Sequence, residues 1–168
     1  MAWRASIVNF FPIYAPGGQD NGAALGDYHD RGGFGMEKRI LLVEDNAQFT
    51  EIFKQAVGQV LAPERLDVTF VEAGSLAEAR ARLREGGLDA ALIDVGLPDG
   101  DGLDLVREIY DGGPGAPIPT LVLTANLDHS VAARAIEAGA QGALSKMVSV
   151  PETLEAIKRL TVPGRSES

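Results

Sequence analysis

Residues 90–102 read Ala-Ala-Leu-Ile-Asp-Val-Gly-Leu-Pro-Asp-Gly-Asp-Gly, so a short apolar run ends in turn-forming residues. Such a run, bounded by glycine and proline, is typical of a strand that is buried on both faces of a sheet. Asp94 lies at the carboxyl end of this predicted strand. Because open α/β sheets bind ligands outside that end, Asp94 is the first candidate for a functional residue.

The chain on both sides of this strand alternates between apolar strands and amphipathic helices. Further strands are predicted at 40–43, 66–71, 118–124 and 142–145, and helices are predicted to start near Asn46, Ser75, Leu103, Asp128 and Pro151. The strand at 66–71 alternates more than the others and is predicted to lie near a sheet edge. Five strand–helix alternations predict an α/β fold with a parallel sheet, right-handed crossovers and helices on both faces.

The composition narrows the classes of protein to which the chain can belong. It has 168 residues, a formal net charge of −9 and no cysteine. The missing cysteines exclude disulfides, thiol catalysis and thiolate metal sites. The acidic balance gives direct nucleic-acid binding little electrostatic support. No apolar run is long enough to span a bilayer, so no membrane association is expected.

The first 36 residues differ from the rest because they are rich in glycine and proline and show no sustained periodicity. One interpretation is a disordered extension. The other is that residues 1–35 are not part of the natural protein, since Met36 directly precedes the first predicted strand. A single domain is predicted over residues 37–162, followed by a disordered polar tail over residues 163–168.

Charged and hydroxyl side chains are predicted to meet at one edge of the sheet. Glu44 and Asp45 follow the first strand, Asp94 and Thr124 end the third and fourth strands, and Lys146 follows the fifth. Each residue alone has an ordinary explanation as a helix cap, a turn residue or a solvated charge. Because parallel strands place their carboxyl ends along one edge, the occurrence of all five in this order favours a functional site.

The chemistry of such a cluster favours phosphoryl transfer. Neighbouring carboxylates repel each other and raise each other's pKa unless a cation lies between them, and Mg²⁺ prefers oxygen ligands. Asp94 would act as the nucleophile, while Mg²⁺ and Lys146 neutralise the developing charge and Thr124 donates its hydroxyl to a phosphoryl oxygen. The sequence therefore predicts that Asp94 accepts a phosphoryl group, with Mg²⁺ held by Glu44, Asp45 and Asp94.

On these residues the sequence resembles the receiver domain of two-component response regulators. The matching segments are Leu41–Asn46 with its acidic pair, Asp94–Gly102 with its Leu-Pro and closing Asp-Gly, Leu123–Ala125, Ala138–Ala140 and Lys146. The match covers about residues 37–162. The resemblance implies a flavodoxin-like (βα)5 fold, a three-layer sandwich around a parallel five-stranded sheet of order 2-1-3-4-5.

The resemblance also implies a function. A sensor histidine kinase or a histidine phosphotransferase would donate a phosphoryl group to Asp94, and the backbone carbonyl of Gly96 would join the Mg²⁺ ligands. The protein would be a cytoplasmic, single-domain response regulator that signals by phosphorylation-dependent binding of an output protein, with a homodimer left open. Its chemistry would be its own phosphorylation and dephosphorylation, so no conventional enzyme activity is expected.

Two residues depart from the family pattern. Ala143 stands where the family usually has tyrosine or phenylalanine, and Met147 stands where proline usually follows the lysine. Both favour an alternative function, a receiver-fold interaction module that signals without phosphate. A phosphatase with an aspartyl nucleophile is a weaker alternative, because such sites need a second acid at the position of Gly96.

Overall fold

The computed structural model describes residues 7–8, 37–61, 67–115, 117–147 and 149–161. The strands are β1 (Ile7–Val8), β2 (Glu37–Val43), β3 (Asp67–Ala73), β4 (Ala90–Asp94), β5 (Gly96–Leu97), β6 (Gly100–Asp101), β7 (Thr120–Thr124) and β8 (Gly142–Ser145). The helices are α1 (Ala47–Leu61), α2 (Leu76–Glu85), α3 (Gly102–Tyr110), α4 (His129–Ala138) and α5 (Val150–Thr161). Among these described helices, none combines the length and the apolar character needed to cross a membrane.

The main sheet contains five parallel strands in the order β3–β2–β4–β7–β8. Numbered along the chain, these strands have the order 2-1-3-4-5, so the predicted α/β fold and strand order are confirmed. The strand β3 lies at one edge of the sheet, as its alternating sequence predicted.

Two apolar cores cover the two faces of the sheet, because successive residues of a strand point to opposite sides. In β2, Ile40 and Leu42 pack in the core formed with α1 and α5, whereas Leu41 and Val43 pack in the core formed with α2, α3 and α4. All five residues of β4 are buried. The predicted three-layer sandwich is therefore confirmed, with two helices on one face and three on the other.

The helix starts predicted near Asn46 and Ser75 are confirmed, and hydrogen bonds accepted by these side chains cap the two helices. The hydroxyl of Ser75 accepts a hydrogen bond from the N–H of Glu78 at 3.2 Å, and the Glu78 carboxylate accepts one from the N–H of Gly74 at 2.7 Å. Asn46 accepts a hydrogen bond from the N–H of Phe49 at 3.0 Å. These side chains satisfy N–H groups that have no partner within their helix.

The short strand β1, which the sequence pattern did not predict, pairs antiparallel with the outer edge of β8. In this pairing Ile7 lies opposite Leu144 and Val8 lies opposite Ala143. An open strand edge presents unpaired peptide groups, and β1 pairs with part of that edge. The predictions for the remaining residues of 1–36 and for the tail 163–168 fall outside the described residues and stay predictions.

The chain after β4 forms a turn that accepts only glycine at one position. Strands β5 and β6 make an antiparallel hairpin in which Gly96 lies opposite Asp101. Gly102 then begins α3, and its N–H donates to the carbonyl of Val95 at 2.8 Å. A β-carbon at Gly102 would lie 1.9 Å from the carbonyl oxygen of Asp94, so α3 can approach β4 this closely only without a side chain.

We expect Gly102→Ala to destabilise the protein strongly, because the added β-carbon would push α3 away from β4. Urea unfolding should show a loss of about 3 kcal/mol or more in the free energy of unfolding, as for severe overpacking.

Gly96→Ala is the matched control from the same loop. A β-carbon at Gly96 meets no atom within 4 Å. The free energy of unfolding should therefore stay within about 0.5 kcal/mol of the wild type, as for most surface substitutions. Equal losses in the two variants would contradict the close approach of α3 to β4.

Candidate functional site at the carboxyl edge of the sheet

The carboxyl edge of the sheet brings the predicted site residues together. Glu44 and Asp45 directly follow β2, Asp94 and Thr124 end β4 and β7, and Lys146 directly follows β8. Because β2, β4, β7 and β8 are neighbours in the sheet, these residues lie side by side along one edge.

Three carboxylates form the acidic part of the site. Glu44, Asp45 and Asp94 each offer one oxygen atom, and these three atoms lie within 4.8 Å of one another. Glu44 and Asp94 are buried, whereas Asp45 is exposed. A ligand can therefore reach the cluster from the side of Asp45.

Lys146 balances the negative charge of the two buried carboxylates. Its ammonium nitrogen lies 2.9 Å from Oδ2 of Asp94 and forms a second ion pair with Oε2 of Glu44. The side chains of Lys146, Asp94 and Glu44 are 16%, 10% and 1% exposed, so salt screens these pairs less than it screens surface pairs. The same nitrogen lies 4.8 Å from the ring centroid of Phe49, within the range of a cation–π contact.

Opposing effects set the pKa of Lys146. Partial burial lowers this pKa, whereas the contacts with Glu44 and Asp94 raise it, and the raising effects together prevail. The pKa of the Lys146 ammonium is therefore held above its ordinary value. As a result, Lys146 keeps its positive charge at neutral pH.

The donor atoms of the site fit a hard divalent cation. Oε1 of Glu44 accepts a hydrogen bond from the N–H of Asn46 at 3.0 Å, and the buried Oε2 is ion-paired with Lys146 but accepts no well-aligned hydrogen bond from any described residue. Oδ1 of Asp94 accepts a long hydrogen bond of 3.3 Å from the N–H of Gly96. These carboxylates can therefore offer further lone pairs, and oxygen is the ligand atom that Mg²⁺ and Ca²⁺ prefer.

Thr124 presents a hydroxyl group beside the acidic cluster. Its Oγ1 accepts a hydrogen bond from the N–H of Asn126 at 3.3 Å, a contact that does not use the hydroxyl hydrogen. The neighbouring residue, Ala125, is exposed and small, so it leaves space at this edge. The Thr124 hydroxyl is thus able to donate to a ligand bound there.

The two departures from the family pattern lie in contrasting environments. Ala143 is fully buried in the core that faces α2, α3 and α4. The side chain of Met147 is exposed, and its N–H donates to Oγ of Ser145 at 3.1 Å. A proline at this position could not make that hydrogen bond, because proline has no N–H.

Two acidic residues in the loop after β4 make contacts that the sequence pattern did not predict. Asp101 caps α3 by accepting from the N–H of Leu103 at 2.9 Å, and it also pairs with Arg134 at 3.0 Å. An aspartate directly before a helix start is a signal that could have identified this cap. Asp99 instead accepts hydrogen bonds from α2, 22 and 23 residues earlier, and no local pattern reveals such a partner.

Residues 40–158 match the family model of the response regulator receiver domain. This chain belongs to the receiver domain family of two-component response regulators. The matched range includes the acidic cluster, Thr124 and Lys146. Receiver domains of this family bind a divalent metal in an acidic pocket and interact with histidine kinases and output proteins.

Three similar proteins place this receiver domain among its relatives. The DNA-binding transcriptional activator DevR/DosR of Mycobacterium tuberculosis is 36% identical over 129 residues, which cover 76% of this chain and 56% of that protein. The polar-differentiation response regulator DivK of Brucella ovis is 28% identical over 123 residues, which cover 73% of this chain and 95% of that protein. This chain therefore spans about half the length of the first relative and nearly all of the second.

The third is a crystal structure of a response regulator protein from Burkholderia pseudomallei, described as containing a phosphorylated aspartic acid, a calcium ion and citrate. It is 25% identical to this receiver domain, with a TM-score of 0.55, and the match covers 74% of this chain and 67% of that one.

We expect Lys146→Met to destabilise the metal-free protein by about 3 kcal/mol, because breaking a buried ion pair leaves uncompensated charges. Urea unfolding in the presence of a chelator measures this loss. Mg²⁺ should reverse part of it, since a divalent cation can replace the missing positive charge.

Lys54→Met is the matched control. Lys54 also pairs with two carboxylates, those of Glu51 and Glu72, but at the protein surface. The loss of stability there should be much smaller, because solvent screens surface ion pairs. A loss in Lys146→Met no larger than in Lys54→Met would contradict the structural role of the buried pairs.

The raised pKa of Lys146 also predicts a pH dependence at alkaline pH. The pKa of Lys146 in the folded protein exceeds its unfolded value of about 10.4. The ion pairs of Lys146 therefore contribute fully to the free energy of unfolding below about pH 10.4, and this contribution is lost as the pH rises through the folded-state pKa. The difference in unfolding free energy between wild type and Lys146→Met should therefore shrink above about pH 10.4. A difference that grows with pH in this range would have the wrong sign.

Proposed function

We propose that this receiver domain accepts a phosphoryl group on Asp94 from the phosphohistidine of a sensor histidine kinase or a histidine phosphotransferase. The observation that carries this proposal is the surroundings of the Asp94 carboxylate, which lies beside two further acids and 2.9 Å from the ammonium of Lys146. Phosphoryl transfer depends mainly on positioning the reacting groups and on neutralising their charge. The residues around Asp94 at this edge of the sheet can do both.

The transfer is a displacement at phosphorus. A carboxylate oxygen of Asp94 attacks the phosphorus atom while the phosphorus–nitrogen bond of the donor breaks, so the imidazole leaves with the bonding electron pair and an acyl phosphate forms. Lys146 neutralises charge on the transferred group, and the Thr124 hydroxyl donates a hydrogen bond to one of its oxygens. Glu44, Asp45 and Asp94 would hold a divalent cation such as Mg²⁺, whose charge would offset the repulsion between these carboxylates and the phosphoryl group.

The similar Burkholderia protein supports this proposal. Its structure combines a phosphorylated aspartic acid with a calcium ion in a related chain. The position of Gly96 in the same loop as Asp94 is consistent with a further ligand from the Gly96 backbone carbonyl, as the family resemblance implies. Because Mg²⁺ and Ca²⁺ share a preference for oxygen ligands, the acidic cluster suits either ion, and we propose Mg²⁺.

For the output, we propose that phosphorylation shifts the chain between two states that differ in affinity for an output protein. We propose a single-domain regulator, and the match covers 95% of the relative DivK. The net charge of −9 disfavours direct contact with nucleic acid. We propose no conventional enzyme activity beyond phosphorylation and dephosphorylation of Asp94 itself.

A second function is favoured by one observation. Ala143 is fully buried at the position where the family resemblance implies a mobile aromatic ring. Because alanine has no ring, no aromatic side chain at this position can move when Thr124 contacts a phosphoryl group. The alternative function is therefore an interaction module that signals without phosphate. The ion-paired cluster of Glu44, Asp94 and Lys146 argues against this alternative.

Intact-mass spectrometry after incubation with acetyl phosphate tests the proposal. We expect a gain of one phosphoryl group when Mg²⁺ is present and no gain when a chelator removes it. Asp94→Asn should abolish the gain, because the nucleophilic oxygen is lost.

Asp104→Asn serves as the matched control, because it removes an exposed carboxylate from the neighbouring helix α3. This variant should gain one phosphoryl group like the wild type. No gain in folded wild-type protein under any of these conditions would favour the phosphate-independent module instead.

A further inference from the structure

The loop after Asp94 ends in a hairpin whose tip carries a carboxylate. Gly96 pairs with Asp101 and Leu97 pairs with Gly100, so Pro98 and Asp99 form the turn between β5 and β6. We call residues 96–101 the acceptor-loop hairpin. Since β4 ends at Asp94, only Val95 separates this hairpin from the proposed nucleophile.

Asp99 fastens the tip of the acceptor-loop hairpin to the start of α2. Its Oδ1 accepts a hydrogen bond from the N–H of Leu76 at 2.8 Å, and its Oδ2 accepts one from the N–H of Ala77 at 3.1 Å. These are the first two N–H groups of α2, which have no intrahelical partner. The hydrogen bond from Leu76 is also the main cause that holds the pKa of Asp99 below its ordinary value, so the carboxylate is ionised at neutral pH.

The start of α2 is a firm anchor for this contact. Ser75 caps the third N–H of the helix, that of Glu78. Further along α2, Arg80 forms two parallel hydrogen bonds with the Glu108 carboxylate of α3, at 2.9 and 2.6 Å. Such bidentate pairs fix geometry better than single contacts. The helix that holds the hairpin is thus itself held against α3.

The hairpin in turn contacts the nucleophile. The N–H of Gly96 donates to Oδ1 of Asp94 at 3.3 Å, while Oδ2 of Asp94 contacts Lys146. The position of Gly96 therefore helps to set the direction in which the Asp94 carboxylate points. A continuous series of contacts runs from α2 through Asp99 and the hairpin to this carboxylate.

We propose that Asp99 is a positioning residue for cation binding and phosphoryl acceptance: by fixing the acceptor-loop hairpin to α2, it orients Gly96 and the carboxylate of Asp94. This inference rests on the proposed function, because it concerns the same site. Asp99 itself need not touch the cation or the phosphoryl group. Substitution of a residue that orients metal ligands in this way typically weakens metal binding by about tenfold or more.

Calorimetric titration of the metal-free protein with Mg²⁺ tests the inference without any phosphoryl donor. Asp99→Ala should weaken Mg²⁺ binding about tenfold, because the hairpin is released from α2. Asp99→Asn keeps one oxygen that can accept a hydrogen bond. Its affinity for Mg²⁺ should therefore lie between that of the wild type and that of Asp99→Ala. Hydrogen exchange at the Gly102 amide, which donates to Val95 at the base of the loop, should accelerate in Asp99→Ala before any metal is added.

Ser75→Ala is the matched control for a merely structural role. It removes a cap from the same helix but leaves both hydrogen bonds of Asp99 in place. We expect a small loss of stability and an unchanged Mg²⁺ affinity. An affinity of folded Asp99→Ala within twofold of the wild type, or an equal loss in Ser75→Ala, would overturn the inference.

The outcomes separate this inference from the proposed function. If the wild type binds Mg²⁺ but Asp94 is never phosphorylated, the proposed function fails while the effect of Asp99 on affinity remains measurable. If Asp94 is phosphorylated and Asp99→Ala binds Mg²⁺ like the wild type, the inference alone fails. If the wild type binds no Mg²⁺, both the cation-dependent mechanism and the inference are overturned.

Discussion

The contact of one ammonium group with two buried carboxylates is the interaction on which the candidate site depends. Lys146 reaches from the end of β8 to Glu44 after β2 and to Asp94 at the end of β4. Burying two carboxylates without a nearby cation would cost several kcal/mol per charge. The lysine offsets this cost in the metal-free protein, and the same charge is available to a phosphoryl group on Asp94.

The fold supports that contact through strand order and through close packing beneath the edge. Because β4 and β7 lie between β2 and β8 in register, the ends of four neighbouring strands supply all the side chains of the site. β4 packs between the two cores, and all its residues are buried. Gly102 then lets α3 begin directly against the backbone of Asp94, which fixes the chain at the end of the acceptor-loop hairpin.

The pattern of the sequence was sufficient to predict the fold and the meeting of the site residues. Apolar runs, helical periodicity and caps indicate which residues are buried and which form local hydrogen bonds. Because the carboxyl ends of parallel strands share one edge of the sheet, Glu44, Asp94 and Lys146 could be predicted to lie together at that edge. The pairing of β1 with β8 and the hydrogen bonds of Asp99 to α2 could not be predicted. Both contacts join segments that are far apart in the sequence. A hydrogen bond to such a distant backbone group produces no periodic pattern of residue types, so the sequence does not reveal it.

Phosphorylation of Asp94 is best tested by locating the phosphoryl group within the chain. Reduction of the phosphorylated protein with borohydride converts an aspartyl phosphate to homoserine, and peptide mass spectrometry then identifies the reduced residue. We expect a single reduced position, Asp94, in the peptide that contains β4. Reduction at Asp45, at Asp99 or at any other carboxylate, with Asp94 intact, would contradict it.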